Sequence, residues 1–107
     1  MKIKKTETIS KEVEIEIPNG LHYFKIQTYD SEECSYFKVL LSPDKKLSNL
    51  TTADYTKVYL GYDEVTITRG RNVSVYWKIE DWFTNSKKES ISLTEFEEKY
   101  NFAKEQI

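Results

Sequence analysis

The chain has 107 residues, of which 38% are hydrophobic, 14% aromatic and 32% charged. This composition is too apolar and too aromatic for a disordered chain, and the length suits one core, so we expect a single domain over residues 1–107. The formal net charge of -2 argues against a protein that coats nucleic acid through bulk positive charge, so any such binding would have to be local.

Cellular location is indicated by the cysteine count and by the absence of long apolar runs. Cys34 is the single cysteine, so no internal disulfide can form, which favours a reducing compartment. Residues 1–7 are basic and lead into polar sequence without the apolar stretch of a signal peptide. No apolar run approaches the roughly 20 residues that span a bilayer. We therefore expect a soluble cytoplasmic protein with no membrane contact.

The first predicted strand covers residues 12–17, where Glu alternates with Val and Ile. The dipeptide Asn19-Gly20 follows, and this pair is typical of a two-residue hairpin turn. We therefore expect a hairpin with a second strand at 21–29, in which Glu14 lies opposite Lys25.

A third strand is predicted at 35–41, with alternate residues on opposite faces. Phe37, Val39 and Leu41 are expected to face the core, and Tyr36, Lys38 and Leu40 to point outward. Its expected register places Tyr29 opposite Tyr36, because a shift by two residues would bring two lysines together. Ser42-Pro43-Asp44 then predicts a single helical turn.

Three more strands are predicted at 55–60, 64–69 and 72–79, again with alternating apolar and polar residues. Gly61-Tyr62 suits a tight turn between the first two. The strands at 64–69 and 72–79 are joined by a three-residue loop, either Arg69–Arg71 or Gly70–Asn72. The loop Gly70–Asn72 is preferred because it places opposite charges at paired positions of the two strands.

The C-terminal residues change from strand to helix periodicity. Residues 80–83 are expected to fold over one end of the core, and a polar loop to residue 90 follows. An apolar stripe at steps of three and four then predicts a helix: Leu93, Phe96, Tyr100, Ala103 and Ile107. Its start has two candidate capping boxes, Thr94 with Glu97 or Ser92 with Glu95.

These elements predict an α+β fold that is mostly antiparallel β. About six strands in two meanders form an open sheet or a small barrel, and one C-terminal helix covers it.

Residue types needed for catalysis or metal binding are scarce. His22 is the only histidine and Cys34 the only thiol, and a hydrogen-bonded structural role is expected for His22. The set is too small for a zinc site, and the row Glu12, Glu14, Glu16 is better explained by pairing with lysines than by cation binding. No Gly-rich phosphate loop occurs. We expect a non-enzymatic protein without a metal or cofactor.

A tyrosine and a lysine two residues apart recur in four predicted strands and share a strand face. The candidate binding residues are Tyr23, Lys25, Tyr36, Lys38, Tyr55, Lys57, Tyr76 and Lys78. This face suits strand pairing alone, anchoring of a partner protein, or stacking of single-stranded nucleic acid. Arg69 and Arg71 add a small basic spot beside Gly70.

One sequence motif lies near each end of the chain. Lys11 and the run Val13–Pro18 form an acidic first strand, and Leu93–Tyr100 begins a Glu-Phe-x-x-x-Tyr helix. In these two segments the chain resembles small uncharacterised proteins of bacterial mobile elements and phages. The resemblance implies an origin in such an element, but no activity and no catalytic residues. From the Tyr/Lys face we expect an interaction domain, an accessory protein of such an element that binds a host protein, with single-stranded nucleic-acid binding as the alternative.

Overall fold

The computed structural model describes residues 2–6, 12–27, 33–43, 51–73 and 77–107. Within these ranges the elements are β1 (Lys2–Thr6), β2 (Glu12–Glu16), β3 (Gly20–Gln27), β4 (Cys34–Pro43), β5 (Thr51–Leu60), β6 (Val65–Val73), α1 (Trp77–Thr84), β7 (Lys88–Ser90) and α2 (Leu93–Gln106). The predicted α+β class, mostly β with a C-terminal helix, is confirmed.

The main layer is an open five-stranded antiparallel sheet in the order β6-β5-β4-β3-β7. Strands β3 to β6 form one continuous meander, and the three-residue β7 adds to β3 at the other edge. Strands β1 and β2 form a separate antiparallel pair. The sheet is therefore one four-stranded meander with a short edge strand, rather than two meanders of three.

One face of the sheet, the α1 face, carries the first apolar cluster. Phe24, Phe37, Val39 and Leu41 are almost fully buried there, and Phe83 of α1 packs on them. Its ring lies 5.3 Å from that of Phe24. Within the segment 80–83, which the sequence predicts to cover the core, Trp82 and Phe83 pack on it, as part of a helix.

The opposite face, the α2 face, carries a second apolar cluster under the C-terminal helix. Val58 and Ala103 are fully buried, and Phe96 is 4% exposed. The N-cap of α2 is Ser92, whose side-chain oxygen accepts a hydrogen bond from the Glu95 backbone N–H at 3.1 Å. Of the two predicted capping boxes, the structure therefore supports the one that begins at Ser92.

The predicted hairpin between the first two strands does not form. β2 pairs with β1 instead, which places Lys2 opposite Glu16 and Lys4 opposite Glu14. Opposite charges at paired positions favour this register. On β3, β7 pairs with Phe24–Ile26, part of the stretch that the predicted hairpin would pair with β2, and β4 pairs with the other side. Residues 17–19 connect the two sheets, and Gly20 begins β3 at a φ of +118° that suits glycine.

The register of β3 against β4 also differs from the prediction by four residues. Phe24 lies opposite Phe37, with their rings stacked at 4.9 Å, so aromatic packing between the strands accompanies this alignment. Tyr29, named in the predicted register, lies outside the described residues. Ser42 and Pro43 end β4 rather than beginning a helix.

The largest error concerns residues 64–79. β6 runs through Gly70 without a turn, and Trp77 begins a helix rather than completing a sixth strand. A side chain at Gly70 would meet the ring of Tyr55, its cross-strand neighbour, because a Cβ there would lie 2.7 Å from the Tyr55 hydroxyl oxygen. The glycine accommodates an aromatic ring and does not mark a hairpin.

The β5–β6 turn is also longer than predicted. Its closing hydrogen bond runs from the Gly61 N–H to the Glu64 carbonyl at 2.8 Å, and Leu60 pairs with Val65. Neither helix in the described residues is long and apolar enough to cross a membrane.

Candidate functional site

The α2 face consists of four cross-strand rows that run from β3 to β6. In order along the strands, the rows are Leu21, Leu40, Asp54, Arg71; then Tyr23, Lys38, Thr56, Arg69; then Lys25, Tyr36, Val58, Ile67; then Gln27, Cys34, Leu60, Val65. We call these rows one to four. The apolar side chains in rows three and four pack beneath α2, whereas row one lies beyond the helix.

Helix α2 crosses the strands rather than running along them. Near its start, Phe96 packs on Tyr23 of β3, with ring centroids 5.9 Å apart. One turn later, the Tyr100 hydroxyl accepts a hydrogen bond from Arg69 of β6. The helix therefore lies parallel to the rows and covers about half of the face.

A groove occupies the uncovered half, with the sheet as its floor and one side of α2 as its wall. Its wider lobe has a volume of about 750 Å³, and its narrower lobe, against the helix, about 390 Å³. Both lobes include Lys38, Thr56 and Arg69. Because the lobes share these three residues, we treat them as one groove.

Apolar side chains lie exposed at the β3–β4 end of the groove. Leu21 is 52% exposed and Leu40 is 39% exposed, and they are direct cross-strand neighbours. Leu93 at the start of α2 lines the narrower lobe and is 46% exposed. Clustered exposed leucines differ from the scattered surface leucines that most proteins have, and such clusters often mark interaction sites.

Basic side chains lie in the middle of the groove and at its β6 end. Arg71 Nε donates to Asp54 Oδ1 at 2.6 Å, so the row-one cation has a carboxylate partner. Arg69 bonds the Tyr100 hydroxyl and lies 5.8 Å from the centre of that ring. Among the described residues, no carboxylate forms an ion pair with Lys38 or Arg69. Row two therefore presents two cations that an acidic ligand can meet, with Glu97 of α2 as the one carboxylate among the described residues that line the narrower lobe.

The predicted Tyr/Lys residues of β3 and β4 lie mostly beneath or beside α2. Tyr36 is 8% exposed, and Tyr23 packs against Phe96. Lys25 Nζ lies 3.8 Å from Glu89 Oε2 and 3.9 Å from Glu95 Oε2. Glu89 belongs to β7 and Glu95 to the first turn of α2, so Lys25 lies between these two elements.

The other predicted Tyr/Lys residues do not lie on the same surface as those of β3 and β4. Tyr55 and Lys57 belong to the α1 face, because Tyr55 packs on Trp82 at 4.9 Å and Lys57 lies 5.9 Å from the ring of Phe37. Lys78 lies in α1, and Tyr76 lies outside the described residues.

Two of the eight predicted residues border the groove. Lys38 lines both lobes. Tyr55 borders the wider lobe, although its ring lies over Gly70 on the other face.

His22 and Cys34 lie on opposite faces of the sheet, so they do not form a nucleophile–base pair. His22 Nε2 donates to the Pro18 carbonyl at 2.7 Å, which is the structural role expected for it. Burial raises the pKa of the Cys34 thiol, so the reactive thiolate is disfavoured. In the part of the chain that the structure describes, no three His, Cys, Asp or Glu side chains group as metal ligands.

Most groove residues escape identification from the sequence. Leu40 gives the clearest signal, since the strand pattern already places a leucine at an outward position. Arg69 and Arg71 are predicted as a basic spot, but at a hairpin tip. Leu21 and Thr56 carry no distinguishing signal, because they reach the groove only through the strand register.

Comparisons with known proteins identify no relative. No protein-family model matches the chain, and neither the curated proteins nor the solved structures include a significant match.

Proposed function

We propose that the chain is a non-enzymatic protein-interaction domain that binds a partner protein through the groove. The observation that carries this proposal is the exposed pair Leu21 and Leu40 next to Lys38, on the half of the face that α2 leaves open. Apolar anchors bordered by charged groups are the usual composition of a protein-binding patch.

The resemblance of the two chain ends supports a more specific version of this proposal. In that version the chain is an accessory protein of a phage or mobile element, and its partner is a host protein. The groove and the resemblance are independent arguments, so the groove proposal does not depend on the origin of the chain.

Affinity capture with matched variants tests the proposal. Leu40→Asp places a charge among the exposed leucines, and Tyr62→Asp places the same charge on a loop residue that is 78% exposed. We expect a partner captured by the wild type and by Tyr62→Asp to be lost with Leu40→Asp. Loss of one interface anchor costs about 2 kcal/mol or more, which is roughly a thirtyfold loss of affinity.

The captured partner is then purified and titrated against the same three proteins. Equal affinity for the wild type and Leu40→Asp would show that the groove is not the binding site. Thermal melts of both variants control for misfolding.

Single-strand binding is the alternative predicted from the sequence. It requires exposed rings beside the cations, whereas the described tyrosines of the motif are divided between the two faces of the sheet. Titration of an oligonucleotide at low and at moderate salt tests it, because phosphate contacts weaken as salt rises. Binding at low salt that Lys38→Glu abolishes would favour this alternative over the protein partner.

A further inference from the structure

We propose that the segment bound in the groove is an acidic amphipathic helix that lies beside α2. This inference rests on the proposed function and specifies the shape and charge of the partner. It follows from three properties of the groove: the hydrogen bonding of its floor, its dimensions, and the positions of its cations.

The floor favours a helix over an extended segment. β4 and β5 lie inside the sheet, so their backbone N–H and C=O groups are paired with neighbouring strands on both sides. An extended segment lying on this face would find only side chains, and a few polar side chains cannot pair all the backbone groups that it would remove from water. A helix satisfies its backbone groups internally and presents only side chains.

The dimensions of the groove also suit a helix. Rows one and two lie about 7 Å apart along the strands, so with their side chains they form a strip about as wide as one helix. Four α2 residues at helical spacing form the wall of the narrower lobe: Leu93, Phe96, Glu97 and Tyr100. Such a ridge is the surface on which a second helix packs, at an interaxial distance of about 8–10 Å.

The cation positions define the charges on that helix. Lys38 and Arg69 lie in row two on strands separated by β5, so their backbones are about 10 Å apart. Residues i and i+7 share a helix face and lie about 10.5 Å apart along the axis. A helix parallel to α2 with carboxylates at i and i+7 therefore meets both cations, and an apolar residue near its end meets Leu21 and Leu40.

Strand addition at β6 is the main competing mode, and it predicts different contacts. β6 is an edge of the five-stranded sheet. A strand added there would lie beyond β6, whereas Leu21 and Leu40 are on β3 and β4, two to three strand spacings of about 4.8 Å inside that edge. Strand addition at β6 therefore leaves the exposed leucines without a role.

Selection from a display library of random 16-residue peptides on the full chain tests the inference. We expect enriched sequences with acidic residues seven positions apart and apolar residues at helical spacing. Their affinity should fall at least tenfold with Lys38→Glu or Arg69→Glu, but not with Lys87→Glu, which makes the same charge change at an exposed turn residue. A proline at the centre of an enriched peptide should weaken its binding at least fiftyfold.

The other outcomes separate this inference from the proposed function. Peptides that require Leu40 but alternate in polarity, or that tolerate the central proline, would overturn the helix and leave the groove as a binding site. Peptides unaffected by any groove variant would contradict both ideas. Absence of enriched peptides would overturn the acidic partner helix. A dimer detected by light scattering that Lys38→Glu dissociates would also overturn it, because the occupant of the groove would then be a second copy of the chain.

Discussion

Replacement of Phe96 by alanine tests the docking of α2, which forms the wall of the groove. Phe96 is 4% exposed and packs between Tyr23 and Tyr100, whose ring centroids lie 5.9 and 6.2 Å away. Phe102 lies on the same helix and is 50% exposed. Phe96 and Phe102 therefore allow the same Phe→Ala substitution to be compared at a buried and at a half-exposed position of one helix.

The expected costs differ several-fold. Truncation of a buried phenylalanine costs about 3–5 kcal/mol, and the lower end applies here because the site borders a groove into which neighbouring side chains can relax. At Phe102, half of the ring is already in water, and alanine is the better helix former by roughly 0.5 kcal/mol. The net change there is expected within about 1 kcal/mol.

Urea unfolding measures both free energies. With a slope of about 1.5 kcal/mol/M, a loss of about 3 kcal/mol lowers the midpoint by about 2 M, against less than about 0.7 M for Phe102→Ala. If Phe96→Ala leaves too little folded protein to measure, Phe96→Leu should still cost about 1 kcal/mol. Equal midpoint shifts for the two alanine variants would refute the docking of α2 on this face.

Three further predictions concern the cap, the glycine of β6 and a buried tyrosine. Ser92→Ala should cost about 1 kcal/mol in urea unfolding because it removes the N-cap, whereas Thr94→Ala should be within about 0.5 kcal/mol; a larger cost at Thr94 would favour the other capping box. Gly70→Ala should lower the free energy of unfolding by about 1–3 kcal/mol because the new methyl displaces the Tyr55 ring. In a double-mutant cycle, the same substitution made in a Tyr55→Ala background should cost much less, and additive effects would exclude the contact. Burial raises the pKa of Tyr36 above its ordinary value of 10.0, so the unfolded chain loses this proton first and the free energy of unfolding falls as pH rises above 10. The fall between pH 9 and 11 should be smaller in Tyr36→Phe, and identical pH profiles would contradict the burial of that hydroxyl.

The sequence predicts those elements whose pattern has one reading. The stripe from Leu93 to Ile107 predicts a helix, and α2 forms there with Phe96 and Ala103 buried, although Leu93 and Ile107 at its two ends are exposed. The alternation in β4 likewise predicts that Phe37 and Val39 are buried, as they are. Periodicity succeeds here because each segment buries a large apolar surface and only one geometry can do so.

The wrong predictions arise where a local sequence pattern is compatible with two different structures. Arg-Gly-Arg at 69–71 has the composition of a turn, but the glycine is needed because a ring from the next strand lies over it. Trp77 and Ile79 continue a strand alternation, but Ile79, Trp82 and Phe83 are also spaced as on one face of a helix. The segment forms a helix, in which Trp82 and Phe83 contact the core. Such choices depend on partners distant in the sequence.

The groove could not be predicted because it is defined by what α2 leaves uncovered. Sequence patterns assign Tyr36 and Lys38 to the same outward face, and they do share it. Only the position of α2 buries Tyr36 and leaves Lys38 open. The position of a helix across four strands is a tertiary property, so the candidate site changes from a tyrosine face to a groove with leucines and cations.

Photo-crosslinking from the groove tests the central claim most directly. A benzoylphenylalanine is placed at Leu40 in one protein and at Tyr62, an exposed loop residue remote from the groove lining, in another. The groove proposal predicts that the identified partner crosslinks from position 40 and not from position 62. Crosslinking from position 62 alone, or with equal yield from both positions, would contradict it.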